Sequence, residues 1–240
     1  HSHSDSLGII VNAFGQDLLV DSGRYVYFDI YCKILSFFKK EYFFIAGIKK
    51  RFLNYILSLV GINKYEPYER RYFKVTKAHN TVVVDSQDQA VYLNEDRWKS
   101  KTRCILDEWI SLPRLDYAEG SHYGYTRLHN PITHKRKIVF IKNEYWIIID
   151  ILKGKGKHKF ELYFHLGQNK DYFCLENGII YTDNRLMPGI TVIPLKNDQL
   201  MAEVFSGWVS KYYNSKIAAP VIKYSKFSSA ADSFYTLIYP

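Results

Sequence analysis

The chain opens on His-Ser-His-Ser-Asp, and His1 and His3, two residues apart, project from one face if the segment is extended. A metal ion or a substrate could meet both imidazoles. Asp21 closes the second of two apolar runs, LGIIVNAF and DLLV, which read as a β-hairpin turning at Gly15-Gln16. A hairpin returns its end beside its beginning, so Asp21 can approach His3. His79 stands at the start of a further strand, NTVVVD. Two imidazoles and one carboxylate converging from separate strands form a common zinc set with a fourth position for water or another ligand. The spacing alone is equally consistent with a terminal HxH pair that is a tag remnant or merely exposed.

The elements that must position these residues are mostly strands. KIVFI (137–141), YWIIID (145–150), KFELYFHL (159–166), ITVIPL (190–195), MAEVFSGWVS (201–210) and SFYTLIY (233–239) are short, β-branched or aromatic, and separated by turns such as Lys142-Asn143. Strands at this spacing without intervening helices predict a large antiparallel β-sandwich. Residues 30–62 differ. Apolar residues recur there three and four apart, at Phe52, Tyr55, Ile56, Leu59 and Val60, which predicts a short helical insertion. The region is broken by Lys33, Lys39, Lys40, Glu41 and Lys49-Lys50-Arg51, so it offers no transmembrane span.

With 240 residues, 47% of them hydrophobic, the chain can bury a sizeable core and reads as one all-β domain. Its net charge of +9 favours polyanionic partners. Nucleic acid is disfavoured, because no zinc-finger spacing, RNP-like segment or long Lys/Arg block occurs. Twenty-one Tyr and fifteen Phe suit strands and also supply rings for stacking on sugars. Three cysteines, Cys32, Cys104 and Cys174, are too few for a disulfide framework.

HSHSDSLGIIVNAFGQDLLVDSGRY followed by AHNTVVVDSQDQ resembles the C-terminal half of heparinase II/III-like polysaccharide lyases, with their HxHxD segment, LLVDPGTY strand end and AHNTVVVDGxxQ segment. YGYTRLHNPITHKRKIVFIKNEYWIIIDIL, KFELYFHL and GWVSKYYNSKIAAPVIKY are similar, in order, to three further stretches of that family. The resemblance covers nearly everything except residues 29–66, and implies a super-sandwich spanning 1–240 with that insertion. It implies His3, Asp21 and His79 as ligands of a structural zinc, His1 as a catalytic residue facing the cleft, and Asp5 as the carboxylate orienting an imidazole. Ser22 and Arg24 stand where the family usually has Pro and Thr, which leaves the loop after Asp21 open.

His122, Tyr125 and Arg127 in SHYGYTRL are candidates for substrate binding, because an Arg fork suits a uronate carboxylate. The alternative is that Tyr125 and Arg127 only stabilise a strand surface. His134 reads as a strand residue beside a basic face, His165 as a satisfied interior histidine, and Trp208 and Tyr212 as core before sugar platforms. The resemblance implies an acidic, uronate-containing polysaccharide as partner, cleaved by β-elimination. It also implies an N-terminal α/α-toroid domain of the same parent protein, carrying the principal Tyr and the Asn or His that neutralises the uronate carboxylate, so this fragment alone is expected to be inactive. Secretion or a bacterial periplasm follows as the expected location. A homodimer is compatible with the sequence. The rival readings are a noncatalytic acidic-glycan-binding module and an exopolysaccharide-assembly protein.

Overall fold

The computed structural model describes residues 3–26, 67–94, 97–167, 171–183, 188–196, 199–229 and 231–240. The helical insertion expected at 29–66, together with His1 and Cys32, lies outside the described residues. The strands run in chain order as β1 (Val11–Ala13), β2 (Gln16–Leu19), β3 (Val82–Val84), β4 (Val91–Asn94), β5 (Arg97–Ser100), β6 (Cys104–Ser111), β7 (Leu115–His122) and β8 (Ile132–Ile141). They continue as β9 (Tyr145–Gly154), β10 (Lys157–His165), β11 (Asp171–Cys174), β12 (Ile180–Asp183), β13 (Thr191–Pro194), β14 (Met201–Val209), β15 (Ile217–Ser229) and β16 (Asp232–Tyr239). Among the described residues, a short helix, α1 (Pro67–Tyr72), and a 3-10 turn at Thr76–Ala78 precede β3.

Two sheets dominate. The larger has eight strands in the order β11-β12-β13-β16-β9-β8-β7-β6, and the smaller has four, β14-β15-β10-β3. Every strand pair among the described residues is antiparallel. One continuous core joins Phe160, Leu162 and Phe164 of β10 with Ile148 and Leu152 of β9 and Phe234 and Ile238 of β16. These positions alternate along each strand, as they must when one face of each sheet turns inward. Each such side chain contributes about 1.5–3 kcal/mol by leaving water. The expected all-β sandwich is what forms.

The N-terminal hairpin pairs β1 with β2, but its turn is Phe14-Gly15, one residue earlier than expected. Both residues have positive φ, 52° and 71°, the two-residue geometry whose twist matches that of the flanking strands. Gln16 is thereby freed to begin β2. Cys104 and Cys174 are free thiols. Among the described residues, no helix is long and apolar enough to cross a membrane.

Candidate metal centre

Three segments with no local reason to meet are brought together by buried polar side chains. Asn80, following His79, is almost wholly buried, and its amide nitrogen donates to the carbonyls of Ile9 (2.7 Å) and Val20 (2.9 Å). Its Oδ1 accepts from the backbone N–H of His165 (2.6 Å) and from His165 Nδ1 (3.0 Å). The residue therefore ties the chain after His3, the residue before Asp21 and the end of β10 to the residue beside His79. Gln89 pins the first segment from another side, accepting from Ser6 N–H (2.8 Å) and donating to Ser6 O (3.1 Å). Gly23, at φ +82°, donates its N–H to Asp21 Oδ1 (2.8 Å) while its α-carbon packs against the Ser210 carbonyl.

These restraints gather His3, Asp21 and His79, one ligand atom of each lying within 4.8 Å of the others. The His3 and His79 ring centroids are 5.3 Å apart, and His79 Nδ1 lies 2.6 Å from Asp21 Oδ2. Burial opposes ionisation of Asp21, but the hydrogen bonds from His79 and Gly23 outweigh it and hold its pKa below the usual value. Asp21 Oδ2 faces Nδ1 of His79, and the other ring nitrogen, Nε2, is buried without a partner. Burial first, and then the charge of His79, lower His3 to about 4, with Asp5 and Asp21 pulling the other way. His3 is thus neutral near pH 7, with a lone pair to give.

This donor set fits a cation that takes nitrogen and oxygen ligands. A cation held by His3, Asp21 and His79 would displace a proton shared between His79 and Asp21. Asp5 is exposed, and acts on His3 through its charge.

A family profile for the C-terminal domain of heparinase II/III-like proteins matches residues 1–185. The chain belongs to that family. This heparinase II/III-like domain is 22% identical over 174 residues to a heparin-sulfate lyase of Pedobacter heparinus, a match covering 71% of the chain and 24% of the relative. The crystal structure of heparan sulfate lyase HepC from Pedobacter heparinus superposes with a TM-score of 0.70 at 20% identity, over 100% of this chain and 31% of that one. A crystal structure of heparinase III gives 0.67 at 13% identity, over 98% and 29%. The chain therefore spans about a quarter to a third of the length of these relatives.

The residues expected to bind substrate are placed otherwise in the heparinase II/III-like domain. His122 and Tyr125 are both fully buried, so neither ring lines a surface. Tyr125 donates its hydroxyl to Val82 O (2.9 Å). The Gly124 N–H points at His122 Nδ1 (3.2 Å), which makes His122 Nε2 the donor to His134 Nδ1 (2.9 Å) and His134 Nε2 the donor to Asp150 (2.6 Å). One backbone N–H thus fixes both tautomers of a fully paired interior chain. Arg127 is exposed, but it donates to the carbonyls of Gln89, Gly124 and Asp88. The basic run is spent as well: Lys135 and Lys137 pair with Glu119, and Arg136 is buried against Asp150 (Nε to Oδ1, 2.7 Å). His134 belongs to the interior chain, and not to a basic face.

His165 is interior as expected but satisfied only at Nδ1. Trp208 and Tyr212, read as core, are exposed at 40% and 76%, and Lys216 Nζ sits 4.5 Å above the Trp208 ring. Sequence reasoning missed Asn80, Gln89 and Arg136 as positioning residues. The signal available was polarity beside apolar runs at Asn80 and Arg136, whereas Gln89, in the polar SQDQ stretch, offered none.

Proposed function

We propose that this chain is the sandwich portion of a polysaccharide lyase that cleaves acidic, uronate-containing polysaccharide by β-elimination, supplying one wall of the cleft and a structural zinc site. The observation that carries the reading is the convergence of His3, Asp21 and His79 within 4.8 Å, in a chain whose family membership is established. The names of the relatives favour sulfated glycosaminoglycans, heparin or heparan sulfate, among uronate polymers. The net charge of +9 suits such polyanions.

β-Elimination needs the uronate carboxylate neutralised, the C5 proton removed and the glycosidic oxygen protonated as it leaves. His1, two residues before His3, is assigned to the cleft, assisting proton transfer or carboxylate binding. Zinc, where bound, supplies a fixed charge and a rigid anchor for that wall. His3 and His79 contribute lone pairs, Asp21 a charge, and Asn80 and Gln89 hold their backbones. The principal Tyr and the carboxylate-neutralising Asn or His belong to an α/α-toroid domain of the parent protein, which acts in the periplasm or outside the cell. The exposed Trp208, Tyr212 and overlying Lys216 favour a second reading, a noncatalytic acidic-glycan-binding module.

Two measurements separate these readings. Metal analysis after zinc-replete purification should give close to one equivalent, lost in His79→Ala; less than a fifth of an equivalent in the unaltered chain would sink the metal site. The full-length parent, incubated with heparan sulfate and other acidic polysaccharides, should raise ultraviolet absorbance as the new carbon-carbon double bond forms. Binding without that rise would leave the glycan-binding module.

A further inference from the structure

We propose that the outer face of the eight-stranded sheet packs against the same face of a second copy of this chain, forming a symmetric dimer. The inward positions of β9, Ile148, Asp150 and Leu152, are buried, so Ile147, Ile149 and Ile151 project from the opposite face. An antiparallel sheet with one solvated face alternates apolar and polar residues. YWIIIDIL instead is apolar on both sides, as strands are when both faces are covered.

The strand registers extend this face across the sheet. Ile147 pairs with Val139 of β8 and with Leu237 of β16, and Leu237 pairs with Ile193 of β13. Paired residues share a face, so four strands present one apolar row. On the flank, Tyr239, Tyr181 and Phe173 join the same face through Thr191, and the last two rings stack at 5.1 Å. Tyr239 is 54% exposed and Phe173 46%. Among the described residues, the four-stranded sheet packs on the other side, against Ile148 and Leu152, while Ile147, Ile149 and Ile151 remain partly exposed.

Area, charge and direction point to the occupant. With about 4.8 Å between strands and about 3.3 Å per residue, the strand lengths give the face an area on the order of 900 Å². A stable interface buries about 800 Å² on each partner. The charges at the β6–β8 corner, Asp107, Glu119, Lys135 and Lys137, pair with one another and cancel, in a chain whose net charge is +9. A neutral face lets two equally charged copies approach and selects no polyanion. It also turns away from the candidate metal centre. Arg136, pointing inward between Lys135 and Lys137, reaches Leu7 O and Asn80 O, so a domain closing over His3 and His79 approaches from the other side of the sheet. A second copy supplies a surface of matching size and polarity by two-fold symmetry alone.

The test is sedimentation velocity on the whole 28.3 kDa chain from about 1 to 100 μM, which reaches the weak end of affinities for an interface of this size. Ile149→Lys and Val139→Asp alter the proposed face. Trp109→Lys is the control, because Trp109 is 65% exposed but shares the inward side of the sheet with Ala118 and Ile138. The unaltered chain and Trp109→Lys should sediment as dimers. Both face variants should associate at least about tenfold more weakly, with circular dichroism and urea midpoints of the dilute protein unchanged. A chain that stays monomeric throughout, a dimer that survives both face substitutions, or one that Trp109→Lys disrupts as strongly, would overturn the proposal. So would a monomer that Ile149→Lys destabilises, since the face would then be covered from within the chain.

Discussion

Asn80 carries four hydrogen bonds from a position 1% exposed, and its truncation is the sharpest probe of how the centre is held. Asn80→Ala leaves the carbonyls of Ile9 and Val20 and two N–H groups of His165 without these partners. Each unsatisfied buried group costs about 1–3 kcal/mol, the N–H groups more than the carbonyls. Allowing a water into the emptied volume to satisfy one or two of them gives a net loss of about 4 kcal/mol, a large part of the ~5–15 kcal/mol that a domain possesses. With a urea m-value near ~3 kcal/mol per M, the midpoint should fall by more than ~1 M at constant slope. Asn12→Ala, which removes an exposed contact to Asp17 (3.1 Å), is the matched control and should move the midpoint by under ~0.2 M. Denaturation in urea with a chelator present, followed by far-ultraviolet circular dichroism, reads both. If Asn80→Ala stays within ~0.3 M of the unaltered chain, the four-bond account of this residue is wrong.

Arg136→Met should cost about 3–5 kcal/mol, because it strands the buried Asp150 carboxylate, while the double variant with Asp150→Leu should cost much less than the two single changes together. Additive losses in a double-mutant cycle would show that the pair is not coupled. Gly23→Ala places a Cβ 2.2 Å from Ser210 O at a φ of +82°, so it should lower stability by about 2 kcal/mol or more and weaken zinc binding by displacing the N–H that holds Asp21; unchanged chelator competition would contradict this. In the metal-free protein, His122, His134 and His165 are held neutral below their ordinary pKa by burial, His165 down to about 3. The unfolded chain binds these protons from about pH 6.5 downward and the folded chain does not, so stability falls as pH falls, by up to about 1.4 kcal/mol per group per pH unit. For His165 the loss is complete near pH 3. Thermal unfolding between pH 7 and 4 checks the slope, and a flat profile would refute it.

The sandwich was readable wherever a strand has one apolar face, as in YWIIID and KFELYFHL. Several strands were not, and β7 and β15 show why. β7 reads LDYAEGSH, and its charges serve cross-strand pairs of Glu119 with Lys135 and Lys137, which become visible only once β8 lies beside it. β15 carries Pro220 in mid-strand, a residue that argues against a strand when met in sequence. The convergence of His3, Asp21 and His79 was legible through the hairpin and the family motifs. The roles of His122 and Tyr125 were not, because a polar residue in a strand looks the same whether it faces a cleft or an interior partner. His122 meets His134 through the β7–β8 register, and Arg136 meets Asp150 through the β8–β9 register. Neither pairing has a local signature.

That misassignment locates what the THKRK and IIID segments do. Arg136 Nη1 donates to Leu7 O and to Asn80 O, both at 2.6 Å, so one guanidinium holds the segment that follows His3 and the segment that follows His79. Asp150 fixes the orientation of that guanidinium through two oxygens, and His134 and His122 extend the same network to the Gly124 backbone. A buried ion pair of this kind adds little net stability over an apolar substitute, and its retention makes sense where it specifies an arrangement. Here the arrangement is the approach of the segments that carry His3 and His79. Charge in these strands therefore acts from beneath the centre by setting where His3 and His79 stand.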